Sequence, residues 1–271
     1  MSEIIDLMNR RGLERKFYDS IVQKLIKNTE ADYSYIICST PPHEEFSSLP
    51  KTKYPKVVFN FSDEKNRTPQ DWIEDRSVNV IFKNYASTGA DKLHPIPLPP
   101  VNDFILEKAK SISEKCIDVF FSGQLNTPQR AFIYKELAEL KEKTHFNIVI
   151  RGNSAFYSGY SIQDYSELLN NSKIAICPAG NNTETFRITE AAKCGSIIFT
   201  DRKPSFWYYK NAPLIELTKN FSSLISSLLT KEQDMNTIQR DVLSWHDRNL
   251  SEEAVFEFCL NKICEKPSIS I

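Results

Sequence analysis

Glycine is scarce in this chain, with seven residues among 271, and they never form a Gly-x-Gly-x-x-Gly run. That excludes the dinucleotide-binding fingerprint of a nicotinamide dehydrogenase. Six cysteines (Cys38, Cys116, Cys177, Cys194, Cys259, Cys264) lie scattered, with no Cys-x-x-Cys pair. Neither a zinc site nor a disulfide framework is expected from that spacing, and thiols in apolar stretches read as small hydrophobes. An alternating Asp-x-Asp metal motif is missing. Charge of one sign is missing too: the formal net charge is −1, without the basic excess that marks a nucleic-acid-binding domain. No apolar run approaches a membrane span. The opening Met-Ser-Glu-Ile-Ile-Asp is acidic and lacks the apolar core of a signal peptide, so the chain reads as cytoplasmic. What is present is ordinary for a globular protein, 41% hydrophobic and 25% charged, and long enough for one large or two small domains.

The first periodic stretch places Leu13, Phe17, Ile21 and Leu25 four residues apart, with basic residues on the other faces. This predicts an amphipathic helix packed on its own domain, in preference to one lying on an anionic membrane. Strands are expected over 35–39, 56–61 and 78–82. Four prolines within residues 94–100 rule out regular structure there and mark the end of a first α/β domain, taken as residues 1–105. Residues 106–271 form the second domain. Its pattern is strand 117–121, helix 128–143, strand 146–151, helix 162–170, strand 173–177, helix 184–194 and strand 196–200. A short strand over 214–217 and three helical stretches to about residue 264 follow. Strands alternating with helices of this length mean βαβ units and a parallel sheet.

The most informative stretch is 174–201. An apolar strand enters a Pro-Ala-Gly-Asn-Asn loop, a helix follows, and Gly195 precedes the next apolar strand. Loops after strand carboxyl ends are where parallel sheets bind ligands, and free N–H groups at a helix start favour a phosphate. Arg187 and Glu190 share one helical face. A first-turn cation opposes the helix dipole, which an anionic ligand would relieve, and a carboxylate one turn on suits ribose hydroxyls. Asn181, Asn182, Thr183, Glu184 and Thr185 open the helix, either as caps or as donors to a diphosphate or sugar. Gly123 and Gln124 end the first strand of this domain, where a bare backbone admits a phosphate closely. Arg151 closes the next strand, facing a base or phosphate. Arg130 reads as a surface charge.

Residues Cys177, Pro178, Gly180, Arg187, Glu190, Ala191 and Gly195 together resemble the donor-binding signature of GT-B glycosyltransferases, particularly the exostosin-like group. The segments 120–124 and 94–98 resemble earlier parts of the same pattern. The resemblance implies two Rossmann-like α/β domains with parallel sheets, and C-terminal helices that cross back to the N-terminal domain. It also implies transfer of a sugar from a nucleotide-diphosphate donor, bound by the C-terminal half, to a glycan or lipid-linked acceptor. The setting would be surface polysaccharide synthesis at the inner face of the membrane. Neither a metal nor a cofactor is implied, because arginine and helix-start N–H groups can stabilise the departing diphosphate. In an inverting enzyme a base deprotonates the acceptor hydroxyl. Candidates in the first domain are His43, Glu44 and Glu45 after one strand and Asp63 and Glu64 after the next, with Glu45 favoured because two prolines pre-order its loop. Many retaining GT-B enzymes carry two glutamates eight apart, whereas Glu184 and Glu190 are six apart, so the stereochemistry stays open. Two alternatives stand beside transfer: a nucleotide-sugar epimerase of the same fold, for which only His145 is on offer, and a non-catalytic nucleotide-sugar-binding protein.

Overall fold

A computed structural model describes residues 1–8, 12–39, 48–61, 68–86, 90–154 and 159–265. Two compact units result, Met1–Leu98 with Leu250–Ile271, and Pro99–Asn249. In the first, β1 (Glu3–Asp6), β2 (Ser34–Ser39), β3 (Lys56–Phe61), β4 (Val78–Lys83) and β5 (Leu93–Pro95) form one sheet in sequential order, every pair parallel. A sheet covered on both faces needs apolar residues at both parities of its strands. Accordingly Val57, Phe59 and Phe61 face α1 (Arg15–Asn28) and α8 (Glu252–Cys264), whereas Val58 and Ile81 join Trp72 of α2 (Gln70–Glu74) in a separate cluster.

The amphipathic stripe of α1 is turned slightly from its expected line. Tyr18, Ile21, Val22 and Leu25 are buried, and Phe17 only packs at the margin. This stripe meets Val255, Phe256, Cys259 and Ile263 of α8, so the last helix belongs to the first unit. The expected extent of 106–271 for the second domain is corrected at both ends. The backbone N–H groups of Val101, Ile105 and Lys110 donate to Glu190, Ser166 and Asn170, and Ile112 enters the second core, which ties 99–116 to the second unit. The proline-rich segment also begins inside β5, since an edge strand tolerates the missing N–H of Pro95.

The second unit contains β6 (Ile117–Gln124), α3 (Pro128–Lys143), β7 (Ile148–Asn153), α4 (Ile162–Asn170), β8 (Ser172–Ile176), α5 (Phe186–Lys193), β9 (Ile197–Thr200), β10 (Leu214–Glu216), α6 (Phe221–Leu229) and α7 (Glu232–Asn249). Its strands run parallel in the order β10-β9-β8-β6-β7. The chain therefore steps outward from β6 to β7 and returns to β8 on the other side of β6. Parallel sheets bind ligands at such a reversal, outside the carboxyl ends of the two strands. That point lies between residues 122–124 and the 177–185 loop. Among the described residues no helix is long and apolar enough to cross a membrane.

Candidate functional site

The reversal between β6 and β8 brings the sequence candidates of the second unit to one edge. Thr185 is the N-cap of α5 by backbone geometry, yet its side chain makes no capping bond and its Oγ1 is buried without a hydrogen-bond partner. Arg187 therefore occupies the first turn, as expected. Its guanidinium carbon lies 5.7 Å from the centre of the Phe121 ring. Nε and Nη1 are both buried and lack a hydrogen-bond partner. A buried N–H group costs about 1–3 kcal/mol when left unbonded, more when charged, so two on one side chain call for an acceptor from outside the chain.

Gly123 explains how the guanidinium fits. A Cβ at this position would stand 2.7 Å from Arg187 Nη2. The bare backbone of this glycine is where the arginine sits. Gln124, next along, gives its carbonyl oxygen to Arg130 Nη1 at 3.2 Å.

Glu190 is buried, accepting from Tyr165 Oη at 2.8 Å and from the Val101 N–H at 3.2 Å. Burial pushes its carboxyl upward, opposed by those two bonds and by the charge of Arg187. Burial also drives the Tyr165 phenol well above its ordinary value, so it stays a neutral donor. A carboxylate offers about four lone-pair sites, of which these two donors use two, and the residue is 3% exposed. Cys177, at the end of β8, has its thiol pushed up to about 12 by burial, which removes it as a nucleophile.

The 177–185 loop is held by its own bonds and by neighbours. The Gly180 N–H donates to the Asn182 carbonyl at 3.0 Å and the Thr183 N–H to Asn182 Oδ1 at 2.7 Å, while Asn181 is exposed. The Ala179 N–H donates to Asp201 Oδ1 at 2.6 Å. Glu184 is corrected. Rather than facing a ligand, it is 1% exposed and accepts from Tyr208 Oη at 3.0 Å and Tyr209 Oη at 3.4 Å. Arg130 is corrected as well: it is 7% exposed and donates to Ala179, Pro178 and Gln124 carbonyls. A sequence signal for it existed, because Arg130, like Arg187, is a cation in the first turn of a helix. Asp201, Tyr208 and Tyr209 carry no such signal. Arg151 is exposed, with its guanidinium 4.6 Å from the centre of the Tyr160 ring, which packs at a tilt on Phe120, itself against Tyr165.

His43, Glu44, Glu45, Asp63 and Glu64 lie outside the described residues. His145 sits after α3 with its ring against Phe146, away from the strand ends that build the site. Among the described residues no group of three or more His, Cys, Asp or Glu side chains could hold a metal ion.

Residues 120–248, a little under half of the chain, match the family described as RXYLT1 C-terminal domain. No curated protein is significantly similar to the chain. Among solved structures, a variant of S. aureus TarM in complex with fondaparinux, α-GlcNAc-glycerol and UDP is 14% identical, with a TM-score of 0.55 over 95% of this chain and 61% of its own. TarM in a second crystal structure is 12% identical, with a TM-score of 0.51 over 85% of this chain and 55% of its own. WaaG, described as a glycosyltransferase involved in lipopolysaccharide biosynthesis, is 10% identical, with a TM-score of 0.51 over 98% of this chain and all of its own. The chain thus spans about three fifths of the TarM chains' length. Identities this low establish the fold: two units with parallel sheets of the GT-B type, as the resemblance at 177–195 implied.

Proposed function

We propose that this GT-B-fold chain, whose residues 120–248 match the RXYLT1 C-terminal domain family, is a glycosyltransferase using a nucleotide-diphosphate sugar. The carrying observation is Arg187, a guanidinium seated on Phe121 and Gly123 whose Nε and Nη1 are buried without acceptors. Diphosphate oxygens supply those acceptors, and charge-assisted bonds of this kind are roughly twice as strong as neutral ones. The N–H groups opening α5, with Gly180, Asn181, Asn182, Thr183 and Thr185, hold the same diphosphate or the sugar attached to it. Glu190 takes the ribose hydroxyls. Arg151 with Tyr160 forms the platform for the base. As the bond to the leaving diphosphate breaks, negative charge grows on its oxygen, and Arg187 with the helix-start N–H groups stabilises it without a metal.

The transferred group is a hexose or pentose and the acceptor a glycan or lipid-linked glycan, in surface polysaccharide synthesis at the cytoplasmic face of a membrane. The UDP and α-GlcNAc-glycerol held by the TarM variant support that class. If the reaction inverts, the acceptor hydroxyl loses its proton to one of His43, Glu44, Glu45, Asp63 or Glu64, with Glu45 first among them. Thermal-shift and calorimetric measurements against UDP-, GDP-, ADP- and dTDP-sugars test the reading, because a binder stabilises the folded state according to its occupancy. Binding of one of these, lost in Arg187→Ala, is the expected result. No binding by any of them, with a folded wild-type chain, would refute the donor site.

A further inference from the structure

We infer that Arg130 is a positioning residue of this site: it locks the two loops flanking Arg187 into one piece without itself touching substrate. The inference rests on the donor reading above. Arg130 Nε donates to the Ala179 carbonyl at 2.9 Å and Nη2 to the Pro178 carbonyl at 3.1 Å, both on the loop after β8. Nη1 donates to the Gln124 carbonyl at 3.2 Å, on the end of β6. One planar fork thus spans both sides of the strand reversal. Gln124 follows directly on Gly123, the seat of the Arg187 guanidinium, and Ala179 precedes Gly180 of the diphosphate loop.

A second glycine shows how closely the fork is fitted. A Cβ on Gly180 would lie 3.1 Å from Arg130 Nη2, as a Cβ on Gly123 would lie 2.7 Å from Arg187 Nη2. Each loop glycine therefore accommodates the guanidinium of one arginine. The Arg130 backbone is fixed in turn, since its N–H donates to the N-cap Thr127 Oγ1 at 3.2 Å. Lysine cannot replace this arrangement, because a single ammonium has no rigid fork to reach carbonyls on two loops at once. Preorganising the loops before the ligand arrives removes an ordering cost from binding the diphosphate. The nucleoside part, placed by Glu190 and the Arg151–Tyr160 platform, does not depend on that ordering.

The test uses the full chain and the variants Arg130→Met and Arg130→Lys. Calorimetry is run with whichever of UDP, GDP, ADP and dTDP the wild type binds most tightly, and with its parent nucleoside. The expected result in both variants is a loss of diphosphate affinity on the order of tenfold, with nucleoside affinity unchanged. Equal losses for both ligands, or no loss, would overturn the assignment. Amide hydrogen exchange gives a readout that needs no ligand: residues 179–183 should lose protection in Arg130→Lys while the rest of the second unit keeps it. Unchanged protection there overturns the bracing role. If the wild type binds none of the four diphosphates, the donor reading fails on its own, and the exchange data still decide whether Arg130 holds the loops. Should Arg130→Met fail to fold, Arg130→Lys carries both measurements.

Discussion

Adding one methyl group at Gly123 separates function from stability in this molecule. In Gly123→Ala the new Cβ meets Arg187 Nη2 at 2.7 Å, and the guanidinium carbon and Nη1 at 3.4 Å. Ordinary contacts begin near 3.5 Å, so the guanidinium must retreat by about 1 Å. The atoms in conflict are the far end of a flexible side chain, and the backbone of Gly123 is not among the chain's positive-φ glycines, so the strand absorbs alanine. Exchanging glycine for alanine at a compatible site even stabilises by about 0.4–1 kcal/mol through the unfolded chain, which offsets the shift of the arginine. The expected melting temperature is therefore close to that of the wild type. The diphosphate contact fares differently, because displacing a catalytic contact by about 1 Å costs on the order of 100-fold in rate. Transfer under saturating acceptor, measured beside nucleoside diphosphate affinity and a thermal melt, checks all three. Full activity in Gly123→Ala would refute the seating argument. A melting temperature lowered by many degrees would show that Gly123 serves the sheet rather than the arginine.

Arg187→Ala should abolish transfer with the fold intact, since it removes a charge-assisted contact to the leaving group valued at about 2–4 kcal/mol in the transition state. Circular dichroism and a transfer assay check it, and near wild-type turnover would remove Arg187 from the mechanism. Tyr208→Phe withdraws a donor from the buried Glu184 carboxylate, so chemical denaturation should show a loss of about 1–3 kcal/mol, with weaker donor binding as the loop loosens. Lys115 gives a pH signature. It is 2% exposed, donates to the Asn170 and Cys194 carbonyls, and burial pulls its ammonium from 10.5 down to about 8. Between those pH values the unfolded chain binds the proton and the folded chain does not. Stability should therefore rise with pH across that window, by about 3 kcal/mol at most, relative to Lys115→Met. A flat difference between the two chains in urea titrations would contradict it. Transfer should persist in excess EDTA, and loss of activity restored by magnesium or manganese would count against a metal-free leaving-group site.

Local chemistry made the scaffold legible. The helices Pro128–Lys143 and Ile162–Asn170 lie where period and capping residues predict them, each opened by a hydroxyl side chain that accepts a backbone N–H. The strands β6, β8 and β9 are apolar runs buried almost throughout, and such runs need no partner to be recognised. β1 escaped notice for the opposite reason: as an edge strand its pattern is half exposed, and only pairing with β2 makes it a strand. Within the site, Arg187 could be read because it violates a local preference. Arg130 violates the same preference, but its three carbonyl acceptors come from loops about 50 residues and six residues away, which no local pattern records. Glu184 shows the converse error. A carboxylate just before a helix start satisfies the dipole so well that it invites a ligand-facing reading, yet the Tyr208 and Tyr209 phenols, far along the chain, draw it inward. Spacing along a sequence can show that a charged residue needs a partner. Whether the partner is a ligand or a distant part of the chain is decided by the strand order, here the reversal at β6, beside which Arg187 keeps its Nε and Nη1 buried and unbonded.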